Sequence, residues 1–168
     1  MVPVRVQTLI ISHAPSPSVL VLQPCDENTP LKNGRIIPIW IGAHEATQVG
    51  LAIEQARLPR PMTHDLFIDT ITNLDAYIDH VLISDVKETT FFARLTLRQH
   101  SRLIEIDARP SDAITLALKQ EAPLFILEEV LEKASYPYIF KKDHPLNDSD
   151  LEEFHSFVKT LIPDDFGR

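Results

Sequence analysis

The chain has 168 residues, 44% hydrophobic and 24% charged, ordinary globular values that exclude a disordered chain, a collagen and a coiled coil. Sixteen Lys and Arg against twenty-four Asp and Glu leave a formal charge of −8, so any attraction for nucleic acid must be local. The lone Cys25 permits neither an internal disulfide nor a cysteine-based zinc site, and without a leader pattern in residues 1–20 or a run of 18 apolar residues the expectation is a soluble, cytoplasmic protein with no membrane span.

Residues 4–11 alternate apolar and polar and then fuse into an apolar run, which reads as a strand. His13-Ala14-Pro15-Ser16-Pro17 breaks it, and residues 18–22 form a second strand. Pro30 and Asn33-Gly34 mark a polar loop. Arg35–Ile41 is a third strand, whose Pro38 argues for an edge position or a bulge. The period then changes. Ala46, Val49, Ile53 and Ala56 recur at helical spacing, with Gly42 as N-cap and Glu45 in the first turn, where a carboxylate suits the dipole. Pro59 and Pro61 end that helix. A second starts near Thr63, with Phe67, Ile71 and Leu74 on its apolar face.

Residues 77–86, 91–98 and 103–107 read as three strands. With Gln99-His100-Ser101-Arg102 as the loop, Leu97 faces Ile104 and Leu95 faces Ile106 on the buried side. Arg98, Thr96 and Arg94 then face Leu103, Glu105 and Asp107 on the other. A third helix follows Pro110, with Ala113, Leu116 and Ala117 inward. Residues 123–127 form a short apolar strand and Glu128–Ala134 a short helix. From Ser135 the tail carries seven acidic residues and four basic ones. Ser149 is placed to cap a tail helix whose stripe is Leu151, Phe154, Val158 and Leu161, so the tail is expected to dock. The organisation is one domain over 1–135 and an acidic helical tail over 136–168.

There is no Gly-rich phosphate loop, no His-Glu-x-x-His and no Gly-x-Ser-x-Gly, and only four glycines. Two similar helix starts stand out instead. Arg60-Pro61-Met62-Thr63-His64-Asp65 and Asp107-Ala108-Arg109-Pro110-Ser111-Asp112 each place Arg-Pro before a hydroxyl residue and then an Asp. Free N–H groups and an adjacent guanidinium suit a phosphate, yet Asp65 and Asp112 stand where the anion would go. A cation resolves that conflict: Asp65, Asp107, Asp112, Glu105 and His64 are ligand types that Mg²⁺ or Mn²⁺ accepts. Each residue also has an ordinary reading. Thr63 and Ser111 are N-caps worth about 1 kcal/mol each, and Asp65 and Asp112 complement the helix dipoles. Asp107 pairs with Arg94 across the hairpin, His64 is a solvated helix-end histidine, and Trp40 belongs to the core rather than to a base-stacking platform. Lys87, Arg94, Arg98, Arg102 and Arg109 make the one locally positive segment, a solvated strand face by default and a backbone-tracking patch otherwise.

Taken together, Ile37-Pro38-Ile39-Trp40-Ile41-Gly42, Glu45-Ala46, Arg60-Pro61-Met62-Thr63-His64-Asp65-Leu66 and Ile106-Asp107-Ala108-Arg109-Pro110-Ser111-Asp112-Ala113-Ile114 resemble the bifunctional nuclease domain family, in order over residues 1–135. The resemblance implies an α+β fold, a mixed and largely antiparallel sheet packed with helices, and homodimers. It also implies the activity that names the family, degradation of DNA and RNA. Two function classes follow. In the first, a nuclease, Asp107 and Asp112 with Asp65 or His64 bind a divalent ion. Arg60 and Arg109 clamp the phosphate, with Thr63, Ser111 and Arg94 as further substrate contacts. This requires the two helix starts to lie together. In the second, the chain is a non-catalytic dimeric binding or regulatory module.

Overall fold

The expected strand and helix periods are realised in order in a computed structural model that describes residues 1–12, 16–25, 34–138 and 148–161. The strands are β1 (Val2–Ile10), β2 (Ser18–Pro24), β3 (Arg35–Ile41), β4 (Ala76–Lys87), β5 (Thr90–Gln99), β6 (Arg102–Ala108), β7 (Leu124–Ile126) and β8 (Tyr136–Pro137). The helices are α1 (Ala43–Ile53), α2 (Thr63–Asn73), α3 (Pro110–Gln120), α4 (Glu128–Ala134) and α5 (Asp148–Thr160). One sheet runs β6-β5-β4-β7-β1-β2-β3-β8. Among the described residues only β4 and β7 pair in parallel, and the crossover between them carries α3. The protein is therefore α+β with a mixed, mostly antiparallel sheet.

Alternation decides which side chains go where. Leu20 and Leu22 of β2 join Ile37, Ile39 and Ile41 of β3 in a large core completed by Val49 of α1, Ile71 of α2 and Ala113, Ile114 and Ala117 of α3. Val19, Val21 and Ile36 point to the other face. There Phe154 and Val158 of α5 cover them and Trp40 packs alongside, so the tail docks on its own sheet and Trp40 serves packing. The side chain of Leu151, and the turns expected at His13, Pro15, Pro30 and Asn33, lie outside the described residues. Pro38 sits opposite Val21, while β8 pairs only with Arg35 and Ile36. From Ile37 onward that side of β3 is thus an edge among the described residues, where a missing N–H costs nothing.

The β5–β6 register is the expected one, with Leu97 opposite Ile104, Leu95 opposite Ile106 and Arg94 opposite Asp107. The loop is shorter than expected, because Gln99 and Arg102 themselves pair and His100 takes a left-handed φ of 54°. Other boundaries also differ. Helix α1 stops at Ile53 instead of running through Ala56 to the prolines. Gln55 turns left-handed there, and the N–H groups of Gln55 and Ala56 close on the carbonyls of Ala52 and Leu51. That is a Schellman end made without glycine. Leu74 lies past the end of α2 and is exposed instead of belonging to its apolar face.

Candidate functional site

Strand β6 delivers the chain into α3 while the segment after α1 delivers it into α2, and the two helix starts meet within one chain. Between them lies a cleft of ≈ 620 Å³. Its apolar wall is Phe67, Leu95, Ile106 and Leu116; its polar groups include Glu45, Gln48, Thr63, His64, Arg109, Ser111 and Asp112. Of the residues expected at a site, Asp112, His64, Arg109, Thr63 and Ser111 are brought together here, while Asp107 stands at the rim, its register partner being Arg94 and its side chain on that strand face instead of the Leu95–Ile106 face. Asp65 instead lines the neighbouring pocket with Lys119. Arg60 is exposed and lines neither. Arg94 projects from the opposite side of β5 from Leu95.

Local chain geometry corrects several ordinary readings. Thr63 is the first residue of α2 and Met62 is its N-cap. In α3 the cap is Arg109, Pro110 fills the first turn, and Ser111 is buried without capping. Proline suits that position because its missing N–H would have had no partner. Asp65 behaves as a reverse cap: its Oδ2 accepts the Met62 N–H at 2.9 Å and its Oδ1 accepts from Lys119 Nζ at 2.7 Å. The Lys119 ammonium, reinforced by the Met62 N–H, holds this carboxyl below the usual carboxylate range. Arg94 bonds Glu105 at 3.3 Å rather than Asp107, a diagonal contact between neighbouring positions on one face. Among the described residues Asp107 has no ion pair or hydrogen bond, unlike Glu45 and Asp112, the two carboxylates inside the cleft. Nor is His64 a solvated helix-end histidine. Its side chain is 14% exposed, with Nε2 3.4 Å from Asp112 Oδ1 and a buried Nδ1 that has no partner among the described residues. A buried polar atom without a partner costs about 1–3 kcal/mol, and such exceptions call for an explanation.

Arg109 is the hub. Its Nε and Nη2 fork onto the two oxygens of Asp112 at 2.7 and 3.2 Å, and its Nη1 donates to Glu45 Oε1 at 2.8 Å. These two carboxylates raise its pKa further. Glu45 is held below its ordinary value first by its own backbone N–H at the start of α1 and then by Arg109. Sequence reasoning placed Glu45 only as a dipole partner; its contact with a residue 64 positions away left no local signal.

The locally positive hairpin is not an open basic track. Arg94 is tied to Glu105, and Arg98 Nε donates to Asp79 Oδ1 at 2.7 Å. The divalent-ion expectation meets a similar obstacle. Among the described residues no group of three His, Cys, Asp or Glu is assembled that could hold a metal. Asp112 is forked by Arg109 and Asp65 is held by Lys119, so the residues present do not fit a resident ion.

The sequence model of the bifunctional nuclease domain matches residues 30–138, a span that contains the whole cleft. Two relatives from Mycobacterium tuberculosis are each 33% identical over 167 residues, spanning 97% of this chain and 96% of their own. They are named uncharacterized protein MT1877 (strain CDC 1551 / Oshkosh) and uncharacterized protein Rv1829 (strain ATCC 25618 / H37Rv). Among the described residues no helix is long and apolar enough to cross a membrane.

Proposed function

The chain belongs to the bifunctional nuclease domain family, and from that premise we propose that its cleft hydrolyses phosphodiester bonds of DNA or RNA. The observation that carries the reading is the meeting of the two helix starts, with His64 facing Asp112 and Arg109 bridging Asp112 and Glu45. Asp107, at the rim of the cleft and held by no cation or donor among the described residues, is the carboxylate left to take the proton of the attacking water. Arg109 uses three of its five N–H groups on Asp112 and Glu45 and offers the other two to a phosphate oxygen. His64 Nε2 stands 3.4 Å from Asp112 Oδ1, the oxygen that also accepts from Arg109 Nη2. Two carboxylates, Glu45 and Asp112, around one guanidinium leave the cleft net negative, so a phosphodiester enters with a counter-ion. Mg²⁺ or Mn²⁺ carried by the substrate phosphate would supply that counter-ion.

The test is cleavage of labelled single-stranded DNA and RNA by purified protein with Mg²⁺, Mn²⁺ or EDTA, beside Asp107→Asn prepared identically. The expected result is a loss of about 100-fold or more in the variant, with unfolding stability within about 0.5 kcal/mol of wild type because Asp107 makes no ion pair. Equal cleavage by both preparations would exclude the cleft as its source.

One observation favours a second reading. Arg109 already carries two carboxylates, which weakens its pull on a phosphate and suits a non-catalytic binding module. Saturable ligand binding with no cleavage under any metal condition would select it.

A further inference from the structure

Glu45 lines the cleft and Gly42 caps the helix that carries it, and neither touches the substrate in the chemistry proposed above. Gly42 is the N-cap of α1 at φ −69°, ψ 164°. Any residue adopts that backbone, so conformational freedom does not explain a glycine there. Space does: a Cβ built on Gly42 would overlap the Oε2 of Glu45. Because the glycine has no side chain, the Glu45 carboxylate folds back over the start of its own helix. From there its other oxygen, Oε1, reaches Arg109 across the gap between α1 and α3. Arg109 in turn forks onto Asp112, which faces His64. The side chains form one chain of contacts, Gly42 to Glu45 to Arg109 to Asp112 to His64. Glu45 and Arg109 also border a second cleft, lined with Trp40, Gly42, Phe91 and Pro110. Arg109 is itself 64% exposed. An exposed arginine held by one partner samples many rotamers; held at both ends, by a bidentate fork and a second carboxylate, it becomes the networked exception among surface ion pairs.

We infer that Gly42 and Glu45 are positioning residues of the cleft, the glycine making room for the carboxylate and the carboxylate fixing the Arg109 fork on Asp112. The inference rests on the cleft being the phosphodiester site, and its central claim, that Arg109 is immobilised through Glu45, can be measured without any turnover.

The experiment compares wild type with Gly42→Ala, Glu45→Ala, the Gly42→Ala/Glu45→Ala double variant and Glu45→Gln. Gly50→Ala is the control on the same helix, where an added Cβ meets only Leu9 at an ordinary 3.6 Å. Three quantities are read: exchange of the Arg109 Nε–H with water by NMR, kcat and KM on single-stranded substrate, and thermal unfolding. Gly42→Ala and Glu45→Ala should each speed the Arg109 exchange about tenfold and lower kcat by about 10- to 100-fold with KM little changed, as for a misplaced group. All variants should remain folded, because the displaced carboxylate is the free end of a flexible side chain. The double variant should match Glu45→Ala alone, since without the carboxylate the methyl at position 42 has nothing to displace. Glu45→Gln, which keeps an acceptor, should fall between, and Gly50→Ala should match wild type. Unchanged Arg109 exchange in both single variants overturns the inference, as do multiplying effects in the double variant or a rise in kcat on removing Glu45. If wild type cleaves nothing, the nuclease reading fails, and the exchange measurement still decides whether Glu45 holds Arg109.

Discussion

Asp65 accepts a hydrogen bond on each oxygen, from Lys119 on one side and from the Met62 N–H on the other. The same pair of contacts removes it from the cleft and gives it a structural task, joining the start of α2 to the end of α3. Lys119 is only 14% exposed, so the bond is better shielded than a surface ion pair. Since the folded pKa of Asp65 lies below its unfolded value, its stabilisation is whole at neutral pH. It persists down to the ordinary carboxylate range and is lost as pH falls through the lowered folded value. Lys119→Met should therefore cost on the order of 1–2 kcal/mol at pH 7. Urea denaturation at successive pH values would show a gap to wild type that is constant from pH 7 to about 5 and narrows below that. A gap that persists unchanged in acid would mean the loss comes from packing instead.

At the scale of elements, α5 carries more weight than a tail of its composition suggests. Phe154 is 1% exposed and Val158 3%, both set against Ile10, Val19, Val21 and Ile36. Tyr138 meets Phe154 edge-on at 4.7 Å and Phe157 at 5.0 Å, the spacing at which aromatic pairs add to plain burial. Replacing Phe154 with Ala should cost about 3–5 kcal/mol, read as a lowered urea midpoint with unchanged slope if sheet and tail unfold together. A cost below about 1 kcal/mol would make α5 a loose appendage. The stripe of Phe154 and Val158 was legible from helical spacing, and so was its docking. The surface it covers was not, because alternation in β2 and β3 says that two faces are apolar without saying what lies over each.

For the whole molecule, the order β6-β5-β4-β7 places helices α2 and α3 on one side of β5 and leaves Arg94 and Arg98 on the other. The basic residues that look like one patch along residues 87–109 are thereby divided between two faces. Arg109 alone enters the cleft, already neutralised by acids, while Arg94 and Arg98 are tied to Glu105 and Asp79. Arg94→Ala should accordingly leave kcat/KM on single-stranded substrate within about twofold of wild type, well under the threshold at which a lost contact is felt. A tenfold rise in KM would reinstate the hairpin as a substrate track.

Periodicity, turn residues and proline placement were enough to order nearly every element and to register the β5–β6 hairpin, because those signals act between residues close in sequence. The helix ends at Ile53 and Gln120 were not legible in the same way, since Gln55 and Glu121 take the left-handed cap position that glycine usually announces. The composition of the cleft was half legible: the Arg-Pro starts name Arg109, Asp112 and His64 as chemistry-bearing residues. Which carboxylates stay free is settled only by the packing of α1, α2 and α3. Lys119 reaches Asp65 from 54 residues away and Glu45 reaches Arg109 from 64, and Asp107 is free because Arg94 leans to Glu105 instead. Charge pairing across such separations depends on distance in space and on competition among several near neighbours, and a linear pattern of residue types contains neither.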